Sequence, residues 1–276
     1  MRTPVRTVVS LGATGLLALV LLTGETGIAQ GSTKFTPGAP GLGDPYFPTL
    51  GNGGYDVGHY GLDLSYDPSR HWLAGTAAIT AKATQNLSRF DLDLNGLSVR
   101  SVVVNSVAAP WARVGEELQV TPRAGLPKGQ AFTVAVDYAG SPRTVTGSPI
   151  VFGADYGWKY TPDGAFVGDE PNAAHTWFPG NDHPSDKATF TMKVSVPVGT
   201  AVAGNGDLVS HASSGGRTTW VWDETSPMAT YLATIDIGRW TFVDGRTPGG
   251  IRSVSAYDPA LQGDVRRVID KAEFGL

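Results

Sequence analysis

The sequence predicts an all-β fold, an antiparallel β-sandwich, with the start of one helix at its C-terminal end. Short segments in which apolar and polar residues alternate recur along the 276 residues. Turn residues separate these segments, and the chain contains 36 Gly and 19 Pro. A helical period occurs only near the end of the chain. Many short strands at regular spacing are typical of a sandwich.

The composition bounds the class of protein. Hydrophobic residues make up 41% of the chain and charged residues 17%, which is typical of a globular protein. The formal net charge of −4 and the absence of a basic block predict no nucleic-acid partner. The chain has no Cys, so disulfides, thiolate metal sites and cysteine nucleophiles are excluded.

The first 29 residues have the pattern of a signal peptide. Arg2 and Arg6 precede an apolar run over residues 8–22, and small residues before Gln30 allow cleavage after Ala29. An uncleaved membrane anchor is the alternative, but the run is shorter than the ~20 residues that a spanning helix needs. We therefore predict export by a cleaved signal peptide, a secreted or extracellular location, and no stable membrane anchor.

The elements follow in order after this segment. Residues 30–50 are rich in Gly, Pro, Ser and Thr and lack a period, which predicts a flexible leader. Alternation begins at Tyr55, and a turn at residues 67–70 leads into a second long strand from Trp72, so the two form a hairpin. Further strands are predicted at residues 90–94, 99–104, 117–121, 132–138, 189–196, 201–203, 208–211, 217–222 and 231–237. Residues 140–184 are irregular, and residues 264–273 have a helical period with Val265 and Val268 on the apolar face.

Candidate catalytic and metal-binding groups are few. The five histidines are His59, His71, His175, His183 and His211. No two of them have the i, i+4 spacing that a helical zinc site requires. The nearest cluster, His175 with Asp182, His183 and Asp186, could hold a metal, although turn and capping roles explain it more simply. We predict no catalytic residue and no metal ligand in this chain.

Two pairs of adjacent carboxylates stand out. Glu116 and Glu117 fall at a predicted turn and are interpreted as a solvated edge. Asp169 and Glu170 lie among Trp and Phe residues, where an unpaired acidic group is costly. For this second pair, a functional and a structural role are both open.

The stretch that begins at Asp169-Glu170 carries a recognisable pattern. Glu-Pro is followed after a short segment by Phe178-Pro179, then by Asp182-x-Pro, and finally by Lys187-Ala-x-Phe. This pattern resembles that of the aminopeptidase N family of gluzincin zinc aminopeptidases. Ser-Pro-Met-Ala-Thr-Tyr-Leu-Ala at residues 226–233 and the hairpin from Tyr55 are similar to further family segments. The resemblance covers about residues 46–258.

The resemblance implies an organisation and an activity. Residues 51–258 would form the family's saddle-like N-terminal β-sandwich, and residues 259–276 would be a truncated lead-in to a missing catalytic domain. In the family, that domain carries Gly-x-Met-Glu-Asn and the zinc ligands of His-Glu-x-x-His, and neither motif occurs in this sequence. We therefore expect a substrate-recognition domain of a secreted zinc aminopeptidase, inactive alone. Zinc would belong to the full-length parent, and the partners would be the catalytic domain and peptides with a free N-terminus.

One functional residue follows from the resemblance. The family's residue at the Glu170 position binds the free α-amine of the substrate. Ala173 and His175 depart from the Asp and Arg common there, while the Phe-Pro pair and Lys187 are expected to hold the segment against the sandwich.

Two rival functions stay open at this point. One is a non-catalytic binding module, a secreted β-sandwich that displays Trp158, Tyr160, Trp177 and Phe178. In the aminopeptidase interpretation, too, an exposed apolar patch is expected around Trp177 and Phe178. The other rival is a hydrolase that uses the His175, Asp182 and His183 cluster with its own metal.

Overall fold

The computed structural model describes residues 34–147, 153–170, 172–261, 263, 265, 267, 268 and 271. The strands within these residues are β1 Thr36–Pro37, β2 Tyr55–Asp67, β3 Trp72–Ala83, β4 Leu87–Asp93, β5 Ser98–Val104, β6 Val107–Ala108, β7 Trp111–Val114, β8 Glu117–Val120, β9 Ala131–Gly140, β10 Thr144–Val145, β11 Tyr156–Thr161, β12 Gly164–Gly168, β13 Lys187–Pro197, β14 Ala201–Gly204, β15 Asp207–Ser214, β16 Arg217–Ala229, β17 Ile235–Gly238, β18 Thr241–Arg246 and β19 Arg252–Tyr257. Short 3₁₀ helices lie at Pro68–Arg70, Ala174–Thr176, Thr230–Leu232 and Pro259–Leu261.

The main sheet has eight strands in the order β15-β16-β13-β2-β3-β9-β5-β6. The hairpin of β2 and β3 forms as predicted, and the alternation in β2 buries Tyr60, Leu62, Leu64 and Tyr66 on one face. A bulge after Val57 keeps the earlier apolar residues of β2 on that same face. The all-β prediction is confirmed. Most pairs are antiparallel, but β2 with β13 and β1 with β4 are parallel, which a local pattern does not reveal.

Two smaller sheets pack on this apolar face. A four-stranded sheet, β1-β4-β8-β7, contacts the start of β2, where the ring centroids of Tyr55 and Phe90 lie 5.8 Å apart. A five-stranded sheet, β10-β11-β12-β17-β14, contacts the end of β2, where Tyr66 and Trp158 lie 5.2 Å apart. Both contacts are edge-to-face, the favourable geometry for aromatic pairs. The core of the sandwich therefore lies between the main sheet and these two.

The predicted irregular stretch, residues 140–184, needs correction because it contains the hairpin of β11 and β12. Gly157, Gly164 and Gly168 replace side chains that would have shown the alternation, and Gly157 has a φ of 84° that favours glycine. The strand predicted at residues 231–237 also needs correction, since it begins only at Ile235, after a 3₁₀ turn. The hairpin of β18 and β19 was not predicted.

The predictions for the N-terminal and C-terminal segments of the chain have different outcomes. Part of the predicted flexible leader is hydrogen-bonded to the residues around β4. The amide of Thr36 donates to the carbonyl of Asn86 (2.9 Å), and the amide of Gly38 donates to the carbonyl of Arg89 (2.8 Å). The expectation of a free leader is therefore wrong for this part. In the predicted C-terminal helix, residues 265, 267, 268 and 271 are helical. The predicted signal peptide lies outside the described residues, among which no helix is long and apolar enough to cross a membrane.

Candidate functional site

The candidate site is built on residues 169–186, the segment that follows β12, which we call the arm. Successive side chains of an extended chain point in opposite directions, and the first two residues of the arm follow this rule. Asp169 turns inward and is only 2% exposed, while Glu170 is exposed. The indole Nε1 of Trp177 donates a hydrogen bond of 2.9 Å to Oδ2 of Asp169. Asp169 thus fixes the backbone immediately before Glu170.

The strand before the arm is held closely by its neighbours. β12 pairs along its length with β11 and contacts β17 through Ala165 and Ile237. A Cβ atom on Gly164 would lie 1.8 Å from the carbonyl oxygen of Ile237, so only glycine allows this approach. The position of Glu170 is therefore set by the five-stranded sheet.

A buried ion pair closes the middle of the arm. Nδ1 of His175 lies 2.6 Å from Oδ2 of Asp182, which also accepts from the His175 amide (3.1 Å). The other carboxylate oxygen of Asp182 accepts from the hydroxyl of Thr230 at 2.8 Å. Burial alone would lower the pKa of His175, but Asp182, with Asp93 and Glu116, raises it to about 9. Burial alone would raise the pKa of Asp182, but His175 and Thr230 hold it below the usual value.

A second set of buried polar groups ties the arm to the four-stranded sheet and to the segment before β2. Oδ2 of Asp93 accepts from the amide of Asp182 (2.7 Å) and from the side-chain amide of Asn52 (3.1 Å). Oδ1 of Asn181 accepts from the Asn52 amide at 2.5 Å, and its Nδ2 donates to Asp186. Burial raises the pKa of Asp93 well above its usual value and that of Asp186 to about 6. These contacts fix the far end of the arm.

Aromatic packing completes the anchoring. Trp177 and Phe178 are completely buried, and their ring centroids lie 4.5 Å apart in an edge-to-face arrangement. Phe178 also packs edge-to-face on Tyr60 of β2, at 5.4 Å. The predicted structural role of the Phe-Pro pair is confirmed. Lys187, expected to act with it, is exposed at the start of β13, so that expectation is wrong.

Glu170 stands at an open depression of about 480 Å³. Its lining residues come from the start of β11, the end of β12, the arm and the segment around β17: Asp155, Tyr156, Val167, Gly168, Asp169, Glu170, Tyr231, Leu232, Ala233, Thr234 and Asp236. Asp236 accepts hydrogen bonds from the amide of Val167 (3.1 Å) and the hydroxyl of Thr234 (3.0 Å). The arrangement offers carboxylate oxygens to a ligand that donates hydrogen bonds.

The structure does not assemble a metal site from the predicted cluster. His175 and Asp182 bind each other, and Asp186 accepts from the amide of Val57. Nδ1 of His183 lies 2.8 Å from the hydroxyl of Ser185. Across the described residues, no group of three or more His, Cys, Asp or Glu side chains is arranged to hold a metal ion.

The structure does not support a binding module that displays aromatic side chains to a ligand. Trp158, Trp177 and Phe178 are completely buried, so they cannot be displayed to a ligand, and the expected apolar patch around the last two is wrong. Tyr160 is half-buried, and its hydroxyl donates to the carbonyl of Pro142 at 2.5 Å. The aromatic residues of the arm are core residues.

The first carboxylate pair also differs from expectation. Glu116 is exposed, as predicted, and accepts from Asn95 at 2.6 Å. Glu117 begins β8 and is half-buried, and its burial raises its pKa to about 7. The prediction of a solvated Glu117 is therefore wrong.

Several residues of the site were not singled out from the sequence. Asn52, Asp93, Thr230 and Asp236 all bind the arm or line the depression. The only sequence signal was for Thr230, which lies in the Pro-Met-x-Thr-Tyr-Leu segment. Its bond to Asp182 shows that the two motifs meet in space.

Comparison with known proteins agrees with this architecture. Residues 57–232 match the family model of the Peptidase M1 N-terminal domain. Leucyl aminopeptidase of Saccharolobus solfataricus is 32% identical over 90 residues, which cover 31% of this chain and 12% of that protein. Aminopeptidase N of Haemonchus contortus is 30% identical over 145 residues, which cover 50% of this chain and 14% of that protein.

Solved structures are similar over a larger part of the chain. An M1 zinc metallopeptidase from Deinococcus radiodurans is 31% identical with a TM-score of 0.69, covering 74% of this chain and 47% of that one. A mutant M1 zinc metallopeptidase from the same organism, bound to a Tyr-Ser-Ala substrate, is 30% identical with a TM-score of 0.72, covering 82% and 55%. The chain thus spans about half the length of these solved chains and far less of the curated relatives. With fold, motifs and family match in agreement, the chain belongs to the M1 peptidase family, whose N-terminal domain it carries.

Proposed function

We propose that this chain supplies the substrate-recognition domain of a zinc aminopeptidase, and that Glu170 binds the free α-ammonium group of peptide substrates. The observation that carries the proposal is that Glu170 is exposed at the depression, while Asp169 directly before it is buried and accepts a hydrogen bond from Trp177.

A fixed carboxylate suits this task for two reasons. It forms a charge-assisted hydrogen bond with an ammonium group, which is stronger than a bond between neutral groups. It also sets the distance from the free N-terminus to the bond that is cleaved, which orients the substrate. The hydrogen bond from Trp177 to Asp169 ties the residue before Glu170 to the core.

The ligands of related structures support the same class of substrate. One Deinococcus radiodurans relative was solved with a Tyr-Ser-Ala substrate, and other M1 zinc metallopeptidases were solved with L-arginine and with L-tryptophan. Each of these ligands offers a free α-amine.

The described residues do not fit a zinc ion, because they contain no suitable group of ligands. We place the zinc of the parent enzyme in a catalytic domain that packs beside this one. The purified chain should then hold no stoichiometric zinc and should not cleave aminoacyl anilides. Chelator-sensitive turnover by the chain alone would contradict this division of roles.

The role of Glu170 can be measured in a chimaera in which residues 34–258 replace the equivalent domain of the Deinococcus radiodurans relative. Glu170→Ala should lower kcat/KM for free-amine substrates by roughly ten- to a hundredfold, since a charge-assisted contact contributes ~1.5–3 kcal/mol. Glu170→Gln should be milder, because an amide oxygen still accepts from the ammonium group. Zinc content should not change.

The matched control is Asp137→Ala. Asp137 is an exposed carboxylate on β9 that pairs with Arg100, outside the depression. Such exposed pairs contribute little, so its removal should leave kcat/KM nearly unchanged. Equal kinetics for the Glu170 and Asp137 variants would show that Glu170 does not bind substrate.

We also propose that the parent protein is exported by cleavage after Ala29, on the pattern of the first 29 residues. Fused to a reporter in a bacterial host, this segment should direct secretion and leave Gln30 as the new N-terminus. Recovery of an uncut precursor in the membrane fraction would support an anchor instead.

A further inference from the structure

Two carboxyl side chains stand opposite each other on the four-stranded sheet, behind the arm. Asp93 of β4 and Glu117 of β8 are direct cross-strand partners, on the face opposite to Leu92 and Leu118. The Cβ atoms of such partners lie about 4.5–5.5 Å apart, and like charges in these positions are destabilising. Asp93 is only 3% exposed, so water screens its charge poorly. The geometry therefore favours a pair of acids that keeps one proton.

The side-chain amide of Asn52 is a neighbour of both acids. Asn52 is completely buried, and its Nδ2 donates to Oδ2 of Asp93 at 3.1 Å. Burial raises the pKa of Glu117 to about 7, and a hydrogen bond with the side chain of Asn52 acts in the opposite direction. One amide group thus connects the two carboxyls.

Two acceptors in this group lack a donor. Oδ1 of Asn52 and Oε2 of Glu117 are both buried and have no hydrogen-bond partner. Each unpaired buried acceptor costs free energy. A single proton on Glu117 satisfies both, because the O–H group that it forms can donate to Oδ1 of Asn52. The hydrogen bonds then run in one direction, from Glu117 through Asn52 to Asp93.

The surrounding charges do not replace this proton. The groups that face Asp93 and Glu117 are Tyr55 on β2, Asp91 on β4, Arg113 and Glu116 at the turn between β7 and β8, and His175 and Asp182 in the arm. Arg113 donates to the carbonyl of Leu94, and Arg89 pairs with Asp91 at 3.3 Å. His175 binds Asp182, and burial raises the pKa of both Asp93 and Glu117 more than the charge of His175 lowers it.

We propose that Glu117, Asn52 and Asp93 form a proton-dependent latch that holds the arm. With Glu117 protonated, Asn52 donates to Asp93, which also accepts from the backbone amide of Asp182 at 2.7 Å. Glu117 lines a cavity of about 400 Å³, through which it can release its proton to solvent. The amide of Asn52 then turns and donates to the Glu117 carboxylate. Asp93 now faces an oxygen atom, and its bond to the arm weakens.

The direction of the pH dependence follows from the raised pKa of Glu117. The contribution of the latch is complete below the usual value of 4.5 and is lost as pH rises through about 7. The arm is therefore held more tightly at pH 6 than at pH 8. The latch does not depend on the role of Glu170, so it can be tested separately from the proposed function.

The test is a pH titration of the purified chain by NMR, from pH 5 to 8.5. The reporters are the side-chain amide of Asn52 and the backbone amide of Asp182, since both donate to Asp93. We expect the two resonances to titrate together with a midpoint of about 7. Hydrogen exchange at Asp182, corrected for its intrinsic pH dependence, should be roughly fivefold faster at pH 8 than at pH 6.

Two variants identify the group that titrates. Glu117→Gln keeps a donor for Oδ1 of Asn52 at every pH, so both resonances should stop titrating and Asp182 should stay protected at pH 8. Glu116→Gln is the matched control, because Glu116 is the exposed neighbour at the same cavity, and it should keep the titration.

The inference is overturned if neither resonance titrates in the wild-type chain, or if the titration persists in Glu117→Gln. A titration that persists in Glu117→Gln but disappears in His175→Gln would assign the effect to the histidine and would likewise rule out the latch.

Discussion

Replacing Asp182 by alanine should be among the most damaging single changes in this domain. The substitution removes the acceptor of three hydrogen bonds, two from His175 and one from Thr230. It also leaves a protonated His175, itself only 4% exposed, without its nearest counter-charge, since Oε2 of Glu116 lies farther away, at 3.6 Å from Nε2. Breaking a buried ion pair in this way costs ~3–5 kcal/mol of unfolding free energy. A domain of this size has about 5–15 kcal/mol in total, so at least about a fifth of its stability would be lost.

The assay is urea unfolding followed by circular dichroism, together with thermal unfolding. For a domain of 150–250 residues, about 2–4 °C is lost per kcal/mol, so the Tm should fall by roughly 6–20 °C. Asp182→Asn should cost less, because its side-chain oxygen still accepts from Thr230. A double-mutant cycle with His175→Gln isolates the ion pair from the bond to Thr230.

The effect should also depend on pH, with a defined sign. The pKa of His175 is raised in the folded state, so its contribution is complete below the unfolded value of 6.5 and is lost as pH rises through about 9. The pKa of Asp182 is lowered, so its contribution is lost as pH falls below its usual range. The deficit of Asp182→Ala should therefore be larger at pH 6 than at pH 9.5. A deficit below ~1 kcal/mol, or one that does not change with pH, would refute the reasoning.

Three further changes test the environment of the arm. Glu117→Gln should stabilise the domain at pH 8 by on the order of 1 kcal/mol, and hardly at pH 4. Burial raises the pKa of this half-buried carboxyl to about 7, so the folded protein favours its protonated form. Urea unfolding measures the change, and the same substitution at exposed Glu116 is the control. Gly164→Ala should cost ~2–3 kcal/mol of unfolding free energy, since its Cβ would collide with a carbonyl of β17, and a neutral result would show that the two strands separate easily. Trp177→Phe should cost ~1–3 kcal/mol, because Asp169 loses its donor, and Trp177→Phe combined with Asp169→Asn should not recover wild-type stability.

The sequence by itself determined the class of fold and the place of the arm. Alternation depends only on neighbouring residues, so the hairpin of β2 and β3 and its buried face were predicted correctly. The motif that resembles the family's is also local, and it located the buried Phe-Pro anchor, while the role of Glu170 stays a prediction. Where glycines remove the alternating side chains, as in β11 and β12, the local signal fails and the hairpin was missed.

Only the tertiary structure decided which polar groups are buried and what they bind. Asp169 and Glu170 are adjacent in sequence, yet one faces the core and the other the depression. The partners of the arm come from distant parts of the chain: Asn52 lies 129 residues from Asn181, and Thr230 lies 48 residues from Asp182. The burial of a side chain, and with it the pKa of its acid or base, depends on elements that pack over it. No local pattern contains that information, because it arises only when sequence-distant strands close around the same core.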